Sequence, residues 1–247
     1  MVLDQEEQER YARQIMLPDF GEAGQKKLQD ARVLVIGAGG LGSPAAFYLA
    51  AAGIGTVGLA DFDRVDLSNL QRQLLHTTAD LGRRKIDSGR ESLQALNPSL
   101  QVPLYDEPVT RASLLSVLQS ESYDMVVDAV DDPLTKFAIN DACVEMQVPY
   151  VHGGILKYQG QLMTYVPGSP CLRCLFPEAP AGRGGKNGVL GAVPGVIGSL
   201  QATEVIKYLL GIGELLTGRL LTYDSLSMAF RMVNIPQRPH CACGNLS

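Results

Sequence analysis

Residues 32–42 read RVLVIGAGGLG, a nearly continuous apolar run that passes directly into a glycine-rich turn. The apolar run predicts a buried strand, because strands that are covered on both faces show no polar alternation. Small residues from position 41 to 52 predict a helix directly after the turn. This strand-turn-helix context is typical of a phosphate-binding turn, where backbone N–H groups and the helix dipole face an anion. Its glycines are Gly37, Gly39, Gly40 and Gly42.

Two acidic residues follow the next apolar run, residues 56–60. Asp61 and Asp63 lie about 20 residues beyond the glycine turn, the distance at which nucleotide-binding folds of this type place a ribose-binding carboxylate. The turn and the acids therefore predict a nucleotide site. They do not distinguish NAD from ATP.

The remaining pattern predicts the fold class. Apolar runs at 101–105, 125–129 and 150–152 alternate with helical patterns at 85–96, 112–120 and 134–146. Such alternation predicts a Rossmann-like, mostly parallel sheet with helices on both faces. After residue 154 the pattern changes to hairpin-like segments at 159–166 and 220–224 around one helix at 195–210. The α/β fold is therefore expected to continue into a mixed or antiparallel C-terminal part.

Composition excludes several classes of protein. The 247 residues are 46% apolar and carry a net charge of -5, which disfavours the general phosphate attraction of nucleic-acid binders. No apolar run approaches the roughly 20 residues that span a bilayer, and the acidic N-terminus does not resemble an export signal. We therefore expect a cytoplasmic protein with no nucleic-acid or membrane partner.

Charged residues downstream of the turn favour ATP. Arg72 and Lys85 supply more positive charge than the pyrophosphate of a dinucleotide needs, whereas a triphosphate and its leaving pyrophosphate would use it. Asp131 follows an apolar strand at the expected ligand edge of the sheet. A carboxylate in that place could hold Mg²⁺.

Four of the five cysteines form two close pairs. Cys171 and Cys174 have C-x-x-C spacing, and Cys241 and Cys243 form a second pair near the C-terminus. In a chain without an export signal, two such pairs predict a structural Zn²⁺ site. The second pair is C-x-C, so a site in which His240 replaces Cys241 is an alternative.

At these residues the chain closely resembles the MoeB/ThiF/HesA family, bacterial relatives of the ubiquitin-activating enzymes. The resemblance runs over residues 10–244 and rests on several motifs in the family's order. These are residues 10–14, 37–42, 61–63, 67–73, Lys85, 131–132, the Cys171 and Cys174 pair, and 195–207.

The resemblance implies an activity and a set of roles. The expected reaction is ATP-dependent adenylation of the C-terminal Gly-Gly carboxylate of a small ubiquitin-like sulfur-carrier protein, of the molybdopterin or thiamine type. Asp61 would bind the ribose, and Asn69, Arg72 and Lys85 would contact the phosphates. Asp131 would position Mg²⁺. Arg13 would reach the triphosphate of the other protomer, so that a homodimer is needed.

The same resemblance implies a division of the chain. A single adenylation domain would cover residues 1–247, with a helical segment at 1–30, a nucleotide-binding half at 31–153, and a carrier-binding and zinc half at 154–247.

One departure from the family concerns sulfur transfer. Members that pass the activated carrier to a thiol have a cysteine in the loop before residues 188–191, where this chain has Gly184. The prediction is an activity that stops at the acyl-adenylate, with sulfur supplied by a separate protein. The basic loop at 177–188 could fold over the ligand or act as a linker.

Two other functions remain open from the sequence. An NAD-dependent oxidoreductase would use the glycine turn and Asp61, although no proton donor or hydride acceptor site is recognisable. A non-catalytic scaffold would bind the carrier without activating it. The pathway that the carrier serves does not follow from the sequence.

Overall fold

A computed structural model describes residues 3–179 and 188–244. Within them the α/β prediction is confirmed. The strands are β1 (Arg32–Ile36), β2 (Thr56–Ala60), β3 (Leu104–Tyr105), β4 (Met125–Asp128), β5 (Tyr150–Leu156), β6 (Gln159–Tyr165), β7 (Arg219–Asp224) and β8 (Ala229–Asn234). The helices are α1 (Gln5–Ile15), α2 (Gly21–Asp30), α3 (Gly42–Ala51), α4 (Lys85–Leu96), α5 (Arg111–Ser120), α6 (Pro133–Glu145), α7 (Leu172–Leu175) and α8 (Ala192–Leu210).

All eight strands belong to one sheet, in the order β3-β2-β1-β4-β5-β6-β7-β8. Strands β1 to β5 pair in parallel, and β6 to β8 continue the sheet with antiparallel pairs. From β1 the chain builds outward to β2 and β3 on one side and then to β4 and β5 on the other. The strand order reverses between β1 and β4, which is where open α/β sheets bind their ligands.

The two faces of the sheet carry separate apolar cores. One core joins the β1 and β2 strands to helices α3, α4 and α8. The other joins the opposite face to α5, α6 and the short helix α7. Because both faces are covered, the central strands are buried along nearly their whole length, as their unbroken apolar sequences predict.

Helix α8 connects the two halves of the chain. It follows the antiparallel strands β5 and β6 in sequence, yet it packs against α3 beside the glycine turn. The contact is close at Gly198, where a Cβ would overlap the carbonyl oxygen of Leu41 and the ring of Pro44. A glycine is therefore required for the two helices to approach at this point.

The first thirty residues form the two helices α1 and α2. The amide of Asn97 donates to the hydroxyl of Tyr11 at 3.1 Å and to the carbonyl of Ala50 at 3.0 Å, and Gln14 donates to the carbonyl of Ala52 at 2.8 Å. Asn97 lies at the C-terminal end of α4, and Ala50 and Ala52 lie at the C-terminal end of α3. Helix α1 therefore lies at the edge of the sheet opposite the carboxyl ends of the parallel strands.

Some elements differ from the sequence prediction. The strand predicted at 101–105 is reduced to β3, with a single bridge between Gln101 and Thr56 before it. Strand β5 extends to Leu156, and β8 was not predicted at all. None of the helices in the described part of the chain is long and apolar enough to cross a membrane.

Candidate functional site

The glycine turn joins β1 to α3 at the point where the strand order reverses. Gly37 has a φ of +98°, and a Cβ there would lie 2.7 Å from the carbonyl oxygen of Ala129. A Cβ at Gly42 would overlap the carbonyl oxygen of Gly37. No side chain caps the N-terminus of α3, and the positive end of the helix dipole there favours a phosphate.

Asp61 is held at this turn by backbone donors. Its carboxylate accepts the N–H of Ala38 at 2.8 Å and the N–H of Asp63 at 2.9 Å. The side chain is about one-tenth exposed. Asp61 therefore stands at the end of β2 in a fixed orientation next to the turn, the place that a ribose-binding carboxylate needs.

Lys85 brings a positive charge to the same place. Its side chain is 7% exposed, and its ammonium lies 2.8 Å from Asp63 and 3.7 Å from Asp61. Two carboxylates thus offset the cost of burying this charge. The ammonium is oriented before any ligand arrives.

Arg72 and Asn69 lie on the segment between β2 and α4. The stem of Arg72 lies over Gly40, where a Cβ would be 3.3 Å from its Cγ, and its guanidinium donates to the carbonyl of Ser68 at 3.1 Å. Asn69 accepts the N–H of Asp66 at 3.1 Å. Both side chains are half-buried, which leaves part of each accessible to a ligand.

Asp131 follows β4 and is exposed. It stands on the rim of a cavity of about 550 Å³ that opens over the C-terminal ends of β4 and β5. The floor of this cavity is the face of the antiparallel strands, and its walls include residues of α6 and α7. Its lining residues include Lys136, His152, Gln161, Phe176, Thr222 and Arg231.

A buried polar cluster lies beneath the cavity. Asp128 accepts from His152 Nδ1 at 2.7 Å and from the ammonium of Lys136 at 3.0 Å. Burial alone would raise the pKa of Asp128, but the neighbouring Lys136 and His152 outweigh it and hold the pKa below its usual range. Burial lowers the pKa of His152, and Gln161 contacts its other ring nitrogen at 3.1 Å. This cluster was not predicted, because its members look like ordinary strand and helix residues in the sequence.

The structure brings most of the predicted site residues together. The four glycines, Asp61, Lys85 and Arg72 meet at the turn, with Asn69 on the adjoining segment and Asp131 beyond the neighbouring strand. Arg13 does not join the site of its own chain, because it is exposed on α1 at the opposite edge of the sheet. Residues 180–187 lie outside the described part of the chain, and with them Arg183, Gly184 and Lys186.

The four paired cysteines form one cluster. The sulfur atoms of Cys171, Cys174, Cys241 and Cys243 all lie within 4.8 Å of one another. Cys171 and Cys241 are 3.6 Å apart, and Cys174 and Cys243 are 3.5 Å apart. His240 is exposed with a φ of +61° and is not part of this group.

The donors around this cluster fit a metal ion. Burial raises the pKa of the Cys171 thiol, and it raises the pKa of Cys243 to about 11, whereas at Cys241 burial is outweighed by hydrogen bonds from neighbouring cysteines, which lower the pKa. A cation would allow the buried sulfurs to bind it as thiolates. The N–H of Arg238 donates to the sulfur of Cys174 at 3.4 Å, an outer contact of the kind that orients metal ligands. Four mutually close sulfurs fit a tetrahedral ion such as Zn²⁺.

The sheet order and the glycine turn at the reversal point define a doubly wound α/β protein. Its cysteine cluster brings the C-terminal segment next to α7. Comparison with known families is more specific. The model of the ThiF family matches residues 11–245, and this chain belongs to that family.

Curated relatives are similar over nearly the whole chain. The adenylyltransferase and sulfurtransferase MOCS3 of Anopheles gambiae is 48% identical over 246 residues, which cover 97% of this chain and 55% of that protein. The probable adenylyltransferase/sulfurtransferase MoeZ of Mycobacterium tuberculosis is 44% identical, with 96% of this chain and 62% of that protein covered. The chain thus spans little more than half the length of these relatives.

Solved structures share the fold. MccB of E. coli, crystallised with ATP, superposes with a TM-score of 0.79 at 26% identity, covering 88% of this chain and 68% of that one. A second MccB structure reaches 0.85 at 24% identity, covering 96% of this chain and 75% of that one.

Proposed function

We propose that this chain uses ATP to adenylate the C-terminal carboxylate of a small ubiquitin-like sulfur-carrier protein. One observation carries the proposal: a glycine turn with fixed acidic and basic side chains approaches the backbone of Ala129 and Val130, and the next residue, Asp131, lines the cavity. A nucleotide at the turn and a peptide tail in the cavity would meet beside the side chain of Asp131.

The reaction suits the residues that are present. A carboxylate oxygen attacks the α-phosphorus of ATP, the bond from the α-phosphorus to the bridging oxygen breaks, and pyrophosphate leaves with its electron pair. The nucleophile is already ionised at neutral pH, so that no general base is needed. Alignment of the reactants and neutralisation of the phosphate charge supply the rate enhancement.

Each site residue has a role in this proposal. The backbone of the glycine turn and Arg72, Asn69 and Lys85 hold the phosphates, and Asp61 holds the ribose. Asp131 would hold Mg²⁺, an ion that supplies further charge neutralisation on phosphate oxygens when bound. Arg13 acts on the site of the second protomer, because α1 lies too far from the site of its own chain.

The cavity suits an extended peptide tail. Its floor presents Gln161, Thr222 and Arg231 from three neighbouring strands, and such side chains can pair with the N–H and C=O groups of a peptide backbone. Lys136 and its partner Asp128 add no net charge. A tail that ends in two glycines would bring no side chains to accommodate beside Asp131.

The proposed reaction stops at the acyl-adenylate. Between Cys174 and Cys241 the sequence contains no cysteine, and Cys143 is fully buried, with a pKa that burial raises. The stretch between Cys174 and Cys241 thus offers no thiol, and the thiol of Cys143 is too buried to form a covalent intermediate with the carrier. Sulfur would come from a separate donor protein, or from a part of the protein beyond the matched domain.

ATP-pyrophosphate exchange tests the proposal. Ubiquitin-fold carriers that end in Gly-Gly are mixed with the protein, Mg-ATP and labelled pyrophosphate. Label should enter ATP only with an intact carrier, and the same carrier without its two glycines is the control. Equal incorporation of label with the intact and the shortened carrier would contradict the proposal. Thermal stabilisation by NAD in place of Mg-ATP would also contradict it.

A further inference from the structure

His76 is a buried residue between the parts of the nucleotide site, and none of the roles described above uses it. It is 5% exposed. Its Nε2 lies 2.9 Å from the carbonyl oxygen of Ala38, and its Nδ1 lies 2.6 Å from the hydroxyl of Ser88. Both ring nitrogens are therefore engaged.

The partners fix the tautomer of this ring. A carbonyl oxygen can only accept a hydrogen bond, so Nε2 must carry the proton that is shared with Ala38. In the neutral ring, Nδ1 then accepts from the Ser88 hydroxyl. Burial lowers the pKa of His76, and the charge of nearby Lys85 acts in the same direction, which favours the neutral form at physiological pH.

His76 joins three segments that carry nucleotide ligands. Ala38 belongs to the glycine turn, Ser88 lies one helical turn after Lys85 on α4, and His76 itself follows Arg72 by four residues. The segment before it is also fixed, since the N–H of Leu75 donates to Ser43 on α3 at 3.3 Å. The ring thus bridges the turn to α4.

The backbone N–H and the backbone C=O of Ala38 are both hydrogen-bonded to side chains. Asp61 accepts its N–H at 2.8 Å, and His76 donates to its C=O. Ala38 has no exposed surface, so water does not compete with the histidine as the donor while the ring is in place. Without it a buried carbonyl would lose its partner, and the turn would be free to rotate away from the phosphate-binding orientation.

We propose that His76 is a positioning residue for the nucleotide, whose Nε2–H sets the orientation of the glycine turn relative to Lys85 and Arg72. This inference rests on the proposed ATP site. It assigns to His76 an effect on ATP affinity and none on carrier affinity, because His76 does not line the cavity.

Two substitutions separate the hydrogen bond from the bulk of the ring. His76→Gln places an amide N–H close to the position of Nε2 and can still donate to Ala38. His76→Asn is shorter, so that it reaches Ser88 but not Ala38. Binding of Mg-ATP is measured by calorimetry on both variants and the natural chain, with thermal unfolding recorded for each.

We expect the Kd for Mg-ATP to rise about tenfold in His76→Asn, the effect of one hydrogen bond in a binding site. It should stay within about threefold in His76→Gln. In pyrophosphate exchange the KM for the carrier should be unchanged in both.

Equal weakening in both variants would overturn the inference, because the ring would then act only through packing. Unchanged affinity in His76→Asn would overturn it as well. A natural chain that binds no Mg-ATP would instead contradict the proposed function, so that the two failures are distinguishable.

Discussion

Gly42 and Gly195 both lie near the N-terminus of a helix, yet the room for a side chain differs at the two positions. A Cβ at Gly42 would overlap the carbonyl oxygen of Gly37, whereas a Cβ at Gly195 meets nothing within 4 Å. The first glycine is therefore required by the turn. The second is tolerated by the helix at an entropic cost.

This contrast gives a matched pair of substitutions. Gly42→Ala should force the turn open, lower the free energy of unfolding by about 2 kcal/mol or more, and abolish ATP binding. Gly195→Ala should raise the free energy of unfolding by roughly 0.5 to 1 kcal/mol. Urea unfolding and ATP calorimetry check both. Similar stability in the two variants would be inconsistent with the turn geometry.

The chemistry of individual residues could be predicted better than their contacts. Spacing and charge identify the glycines, Asp61 and Lys85 in the sequence, because phosphate sites need those residue types. The pairing of Lys85 with Asp63, or of His76 with Ala38, depends on how distant segments fold together. No local pattern encodes it.

At the scale of elements, α7 links the cysteine cluster to the cavity. This helix begins just after Cys171 and contains Cys174, while its residue Leu172 and the following Phe176 line the cavity. Arg173 pairs with Asp141 on α6. If the cluster binds a metal, its removal should therefore disturb the cavity wall before the glycine turn.

The ligand set can be checked by metal analysis. The purified protein should contain about one zinc ion per chain. Cys241→Ser should lose most of the zinc and show a lower Tm, whereas His240→Ala should retain both. Retention of zinc by Cys241→Ser together with its loss from His240→Ala would reverse the assignment in favour of the histidine.

The bounds of β1 and α3 were predicted to within a residue, because an apolar run and a glycine turn mark them sharply. Strand β8 was missed for a physical reason. It is an edge strand paired on one side only, with five of its six residues exposed, and Arg231 interrupts its apolar residues, so that its sequence shows no continuous apolar run. Helix α8 begins earlier than predicted since Pro194 is tolerated in a first turn.

At the scale of the molecule, the position of α1 predicts a site that is shared between protomers. If the partner's Arg13 completes each site, Arg13→Ala and Arg72→Ala should each lower the adenylation rate by about 10². A mixed dimer of the two variants contains one site with both arginines intact, because both substitutions fall in the second site.

Random mixing should therefore restore about one quarter of the natural activity, as half of the dimers are mixed and each has one good site. The rate of pyrophosphate exchange after mixing measures this. Each variant mixed with itself is the control. Activity that stays at the level of the separate variants would show that Arg13 does not act across the dimer.

The close contact of α8 with α3 also affects how the protein is made. A ribosome releases the glycine turn and α3 long before it has synthesised α8, so the apolar side of α3 has no cover while the nascent chain grows. The first half of the protein can therefore form its parallel strands early but cannot complete its core. We expect this growing chain to depend on chaperones until residues 192–210 have emerged.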